Sequence, residues 1–151
     1  MKNNFVSRYM FVLGSIFFFI VSQSMNAQSC RDYYKKCNDP GKGYQMSSMS
    51  RSFSLKKYKK VNITYTFLGE REYYISVGGK PKLKSIQFRI INSSDNSIIY
   101  DNSADNFKTD KSIQVDQSVI LKFEISAPQM YEDESYCAGL LIAFKDIDSS
   151  K

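Results

Sequence analysis

The stretch Val61-Asn62-Ile63-Thr64-Tyr65-Thr66-Phe67-Leu68-Gly69-Glu70-Arg71-Glu72-Tyr73-Tyr74-Ile75-Ser76-Val77 alternates apolar and polar side chains on both sides of a glycine turn. Val61, Ile63, Tyr65 and Phe67 share one face of an extended chain, and Asn62, Thr64 and Thr66 share the other. Tyr73, Ile75 and Val77 repeat the rhythm after Gly69-Glu70. A period of two is the mark of a half-buried strand, since successive side chains of an extended backbone point to opposite sides of a sheet. Downstream, Ile86, Phe88 and Ile90 alternate with Gln87 and Arg89, and Val119, Leu121, Phe123 and Ile125 alternate with Lys122 and Glu124. Shorter runs at Arg51 to Leu55, Ser97 to Tyr100 and Ser112 to Val115 are bounded by Gly, Asn, Asp and Ser clusters of the kind turns use.

Tyr136 to Lys145 breaks the pattern because both alternating sets are apolar: Cys137, Leu141 and Ala143 on one, Leu140, Ile142 and Phe144 on the other. Such a strand is expected to be covered on both faces. The N-terminal segment with Tyr33, Tyr34 and Tyr44 is the candidate cover; without it, Leu140, Ile142 and Phe144 would form an exposed patch and mark a partner interface. About eight short strands at turn spacings near ten residues predict an all-β fold, an antiparallel two-sheet β-sandwich or jelly roll. A βαβ arrangement would need helix-period runs between strands, and only Ser29 to Cys37 suits even a short helix. The longest loops fall at Asn38 to Ser50 and Ser126 to Ser135.

The N-terminus reads as an export signal. Lys2 and Arg8 form a basic region, Tyr9 to Val21 an apolar run, and Ser22 to Gln28 a polar region ending near Ala27. The apolar run is well short of the roughly 20 residues that span a bilayer. The expected organisation is a signal peptide over 1–27, an irregular segment over 28–50, the β-sandwich over 51–146 and a polar tail over 147–151. Removing the signal leaves 19 basic against 15 acidic side chains, a net charge of +4 where the precursor has +6. The mature chain of about 124 residues suits one domain with a single core. Its expected location is secreted, periplasmic or at the cell surface.

Three cysteines in an exported chain predict one disulfide and one leftover thiol. Cys30–Cys37, Cys30–Cys137 and Cys37–Cys137 are all open. A local bridge requires a loop between Cys30 and Cys37, because a helix there would part them by about 10 Å along its axis. A bridge to Cys137 would staple the N-terminal segment to the final strand and close about 100 residues, where chain entropy favours cross-linking. Cys37–Cys137 is the expected pair, with Cys30 as the alternative partner. Cys30 also lies just past the signal, where a lipoprotein carries its lipid. The position before it, Ser29, fits that pattern, whereas Ala27 stands where leucine is usual.

At Lys60 to Val77 the chain resembles the small β-sandwich accessory domains of exported bacterial proteins, of the pre-peptidase C-terminal kind. Those domains show a similar strand, a glycine turn and a Tyr-x-Ile-x-Val strand, matched here by Tyr73-Tyr74-Ile75-Ser76-Val77. The likeness runs loosely on through Ile86 to Asp101. The acidic pair often found in the next strand is absent at Ser85-Ile86-Gln87-Phe88, and no Gly-Thr-Tyr motif closes the domain. The resemblance implies a non-catalytic accessory or binding role and transfers no functional residue.

Catalytic chemistry has few parts to work with. Without histidine, Ser-His and Cys-His nucleophiles and the usual histidine zinc sites are excluded. Glu70, Glu72, Glu132, Asp133 and Glu134 leave a carboxylate-dependent hydrolase as an alternative, which would need two carboxyls held about 5–9.5 Å apart across a cleft. Asp101-Asn102-Ser103-Ala104-Asp105 opens like a calcium loop, but Asn106 stands where glycine is required and Ser112 where a bidentate glutamate is required. Asp95, Asp101, Asp105, Asp146 and Asp148 are better read as turn caps, so no metal and no cofactor are expected. Two basic runs remain: Lys56, Lys57, Lys59 and Lys60 around Tyr58, and Lys80, Lys82 and Lys84 around Pro81. They are candidate anion-binding residues for an envelope protein or an anionic glycan; export argues against nucleic acid, and a membrane enters only through a lipid on Cys30. The function expected is that of an exported, non-catalytic binding or structural module of the cell envelope. The alternatives are a surface lipoprotein anchored through Cys30 and a small carboxylate-dependent hydrolase.

Overall fold

A computed structural model describes residues 30–147, and within them the chain builds two antiparallel sheets from nine strands with no α-helix. The expected signal peptide, residues 1–27, lies outside the described residues, as do 148–151 of the expected tail. The strands are β1 (Gln45–Met46), β2 (Arg51–Lys56), β3 (Lys60–Phe67), β4 (Arg71–Gly79), β5 (Gln87–Asn92), β6 (Ile98–Asp101), β7 (Asp110–Val115), β8 (Val119–Ser126) and β9 (Ser135–Asp146). One sheet centres on β9, which pairs β4 along one edge and both β2 and β1 along the other, with β7 beyond β4. The second sheet runs β3-β8-β5-β6. All eight expected strands are present, the seven shorter runs and the doubly apolar Tyr136 to Lys145 alike. β1 is a ninth, inside the stretch 28–50 that was expected to be irregular; two residues are too few to show a rhythm.

The two sheets meet through the apolar faces already visible as alternation. Tyr73, Ile75 and Val77 of β4 lie beside Phe144, Ile142 and Leu140 of β9 and face Phe67, Phe88, Leu121, Phe123 and Ile125 of the second sheet. The Tyr73 ring sits edge-on to Phe67 at 4.6 Å between centroids, a favoured aromatic geometry. Its hydroxyl accepts from the Leu68 N–H at 2.9 Å and donates to the Leu68 carbonyl at 3.2 Å, so one buried side chain ties both sheets and leaves no polar atom stranded. On the wet face of the second sheet, Lys60, Glu124, Arg89 and Asp101 form a ladder of alternating charge across all four strands, with contacts of 2.9, 3.2 and 2.6 Å.

Asn102 is buried at the corner after β6. Its amide nitrogen donates to the carbonyls of Ile86 and Lys108, and its oxygen accepts from the Phe88 N–H at 2.9 Å. Three backbone groups thus depend on one side chain. Asn102→Ala is expected to lower unfolding free energy by about 2 kcal/mol, since buried backbone groups lose their partners. Chemical denaturation measures this, and a change below about 0.5 kcal/mol would contradict it.

β9 is covered on both faces, as its composition required. Leu140 and Ile142 belong to the inter-sheet core and do not form an exposed patch. The opposite face, Cys137, Gly139, Leu141 and Ala143, lies under the N-terminal segment. A 3-10 turn at Tyr33–Lys36 settles on it: the Tyr34 N–H donates to the Ser52 hydroxyl at 3.0 Å, and the Asn38 N–H donates to the buried Ser76 hydroxyl at 3.1 Å. The disulfide joins Cys30 to Cys137 with Cα atoms 5.2 Å apart, and Cys37 is the free thiol. This corrects the expected Cys37–Cys137 pair: the turn carries Cys30 onto Cys137 and leaves Cys37 beside Gly139, whose carbonyl accepts from its thiol at 3.4 Å. It also removes the lipoprotein alternative, because a lipid thioether would require the same Cys30 sulfur. The membrane partner that depended on it falls with it.

Burial pushes the Cys37 thiol up to about 11; hydrogen bonds with the backbone of Leu141 and Gly78 pull the other way and do not cancel it. Folding therefore favours the neutral thiol. The stability this contributes is complete below the ordinary thiol value of 9.0 and is lost as pH rises toward 11. Cys37 is expected to react with a thiol reagent near pH 8 far more slowly in the folded chain than in the denatured one. Equal rates would show that the thiol is not held this way.

Candidate binding site at one pole of the sandwich

Three connections meet at the end of the sandwich where β2, β4 and β8 finish. They are residues 57–59 between β2 and β3, residues 80–86 between β4 and β5, and residues 127–134 between β8 and β9. Each is fastened by a buried apolar side chain at its base or within it: Leu55, Leu83 and Met130. Ile86 and Ala127, at the ends of two of these segments, are buried as well, and the side chains left over are half-buried or exposed. This is the usual division between a rigid scaffold and the loops it presents.

The two lysine runs, far apart in sequence, converge here on the loop after β8. Lys82 donates to Glu132 at 2.5 Å, and Lys56 lies 3.9 Å from Asp133. Lys57 donates to the Tyr131 carbonyl at 3.0 Å, and the Lys84 ammonium stands 3.6 Å from the centre of the Tyr131 ring. Ser85 donates to the Gln129 side chain at 3.0 Å, closing the second connection onto the third. Lys60 is turned away to Glu124 in the charge ladder, and the Lys80 N–H donates to the Cys137 carbonyl. Lys59 is exposed at the tip. The seven lysines thus do not form one uniform basic patch.

The acidic residues of the loop are occupied. Glu132 accepts from Lys82 and from the Tyr136 hydroxyl, which also donates to Glu134 at 2.9 Å. The bond from Lys82, then that from Tyr136, hold the Glu132 carboxyl below its ordinary range. The same bond raises the Tyr136 phenol. A carboxyl biased toward its charged form is the opposite of what a general acid needs. Likewise Asp95 accepts from the Ser97 N–H, Asp101 from the Ser103 N–H, Asp105 from the Tyr100 hydroxyl, and Asp146 pairs with Arg71. Asp148 lies outside the described residues. No group of three acidic or sulfur side chains is placed to hold a metal among the described residues.

Two tyrosines dominate the tip. Tyr58 is 86% exposed and Tyr131 is 74% exposed, the two largest values among the exposed apolar and aromatic side chains. Tyr58 also has a left-handed backbone, φ 58°, in a turn closed by the Lys59 N–H on the Lys56 carbonyl. Gly or Asn adopts that conformation at little cost, and a bulky aromatic does not. Lys84, at φ 55° and ψ −120°, occupies a region still less suited to a side chain. Neither residue is placed where folding would want it. An aromatic set between lysines was visible in the sequence at Tyr58; Tyr131 carried no sequence signal, because its neighbours come from segments more than 40 residues away.

No protein-family model matches the chain, and no curated protein matches it. The likeness to pre-peptidase C-terminal domains therefore stays one of strand pattern. Among solved structures the chain is similar to that of Aeromonas hydrophila PliG, a periplasmic lysozyme inhibitor of g-type lysozyme. The two share 14% identity and a TM-score of 0.49, over 72% of this chain and 93% of that one.

Proposed function

We propose that the chain is an exported, non-catalytic protein-binding module of the cell envelope, and that it docks through the pole carrying Tyr58 and Tyr131. The observation that carries this reading is the pair of tyrosines, largely exposed on loops fastened to the core, one of them in a backbone conformation that folding alone disfavours. Tyrosine supplies a large contact area with a polar tip and few rotatable bonds, which is why it anchors protein interfaces. The Cys30–Cys137 disulfide supports export, because such bonds persist where the surroundings are oxidising. The hydrolase alternative is disfavoured by the bonds that already engage Glu132 and Glu134.

Placing a photoactivatable residue at position 58, at position 131 and, as a control, at Asn62 on the wet face of the second sheet tests this in envelope extracts. Positions 58 and 131 are expected to cross-link the same protein, and Asn62 is not. Excess unlabelled chain should compete, and Tyr58→Ala/Tyr131→Ala should compete at least about tenfold less well, each anchor accounting for more than 1 kcal/mol. Equal competition by a variant with unchanged melting temperature would reject the site.

A further inference from the structure

We infer that the protein surface met by this pole is acidic, and that Lys57, Lys59 and Lys84 are the side chains that face its carboxylates. The inference rests on the pole being the docking surface and adds the chemistry of what it meets. It comes from how the charges at the pole are divided. Lys56, Lys60 and Lys82 each lie within 4 Å of a carboxylate of the same chain, Asp133, Glu124 and Glu132. They link loops and strands, and a carboxylate of the same chain offsets the charge of each. Lys57, Lys59 and Lys84 have no such carboxylate within 4 Å among the described residues.

Those three lysines stand immediately around the two exposed rings. The Lys57 ammonium is 5.0 Å from the centre of the Tyr58 ring while it donates to the Tyr131 carbonyl, and the Lys84 ammonium lies over the Tyr131 ring. Lys59 is the next residue after Tyr58. The tip is therefore an aromatic centre with an uncompensated positive rim, behind which an internally neutralised collar holds the loops. Contacts to the rings and to the Tyr131 carbonyl restrict Lys57 and Lys84 before any partner arrives, which lowers the ordering cost of binding. Charges at an interface rim act chiefly by steering association and by excluding partners of like sign. A positive rim selects an acidic surface, and over distances of about 8 Å that selection is screened by physiological salt.

The test uses the exported chain, isotopically labelled for NMR, with an oligoglutamate peptide as a probe of carboxylate chemistry. A sulfated heparin oligosaccharide and vesicles containing phosphatidylglycerol serve as comparison probes. Oligoglutamate is expected to shift the amide signals of 57–59, 84 and 131, with affinity falling on the order of tenfold from low to physiological salt. Lys57→Gln/Lys59→Gln/Lys84→Gln should weaken it by a similar factor, whereas Lys36→Gln/Lys42→Gln/Lys122→Gln, equal in charge change, should leave it within about twofold. Equal weakening by both triples, or no salt-dependent binding, overturns the inference and leaves the cross-linking result standing. Tighter binding of heparin or vesicles through the same residues overturns it in favour of a sulfated glycan or a membrane. Shifts confined to other faces of the sandwich count against the pole itself, and so against the function on which the inference rests.

Discussion

Cys137→Ser is expected to lower the unfolding free energy by roughly 2–5 kcal/mol, with a corresponding drop in melting temperature under non-reducing conditions. The bond it removes spans 107 residues, nearly the whole described chain. Without it the unfolded ensemble gains the freedom of that entire loop, while the folded state keeps its two sheets. Cys137 is the better position to replace. In Cys30→Ser the remaining thiol of Cys37, already hydrogen-bonded to the carbonyl two residues beyond Cys137 on the same strand face, is within reach of a substitute bridge. Cys137→Ser permits no bridge to the final strand, so the long-range closure is lost even if Cys30 and Cys37 pair locally. Peptide mapping of the unreduced chain should recover Cys30 linked to Cys137 and Cys37 unlinked. A melting temperature unmoved by Cys137→Ser would mean that the bond adds nothing to the fold.

The pairing shows where sequence reasoning runs out. Loops of 107 and about 100 residues differ in closure entropy by less than about 0.1 kcal/mol, so no entropic argument can choose between Cys30 and Cys37 as the partner of Cys137. The choice is made by the turn at Tyr33–Lys36, three-dimensional information carried by a segment with no hydrophobic period. The strands were legible for the converse reason. Each has one wet face, and burying the other fixes its orientation, as Val61, Ile63, Tyr65 and Phe67 do opposite Ile125, Phe123, Leu121 and Val119. β9 was legible in a different way, since two apolar faces demand two covers, and the structure supplies the second sheet and the N-terminal segment.

The candidate site stands between these cases. Both lysine runs and the aromatic within the first were plain in the chain, but the assignment of charge was not. Which lysines stitch and which face outward depends on Glu132, Asp133 and Tyr131, brought in by the loop after β8 across sequence separations of 47 to 77 residues. Pairings at that distance follow from sheet order, and period-two patterning does not specify sheet order. The same limit hid Asn102, whose three partners gather only when the corners after β6 and before β5 meet.

Gly139→Ala is expected to cost about 2–3 kcal/mol, although it adds one methyl group to a strand that tolerates alanine at neighbouring positions. A Cβ at position 139 would stand 2.4 Å from the Tyr34 Cα, 2.6 Å from its nitrogen and 3.0 Å from the Tyr33 carbonyl carbon. These are backbone atoms, so no rotamer change relieves the contact. Either β9 shifts between the strands that flank it on both sides, or the 33–36 turn lifts. The turn gives way more easily, because its lift sacrifices the Tyr34–Ser52 hydrogen bond and the cover over Cys37, while a shift of β9 disturbs its pairing with β2 and β4. Two consequences separate this account from ordinary destabilisation. Loss of cover should bring the Cys37 thiol down from about 11 toward its ordinary value, so Gly139→Ala should speed its modification near pH 8 in the folded chain. The Cys30–Cys137 bond also tethers the segment that must lift, so in a Cys137→Ser background the turn yields freely and Gly139→Ala should cost less. The double variant is then more stable than the sum of the single costs implies, by a coupling of about 0.5–3 kcal/mol. Additive costs with unchanged Cys37 reactivity would show that the N-terminal segment does not press on β9 at this glycine.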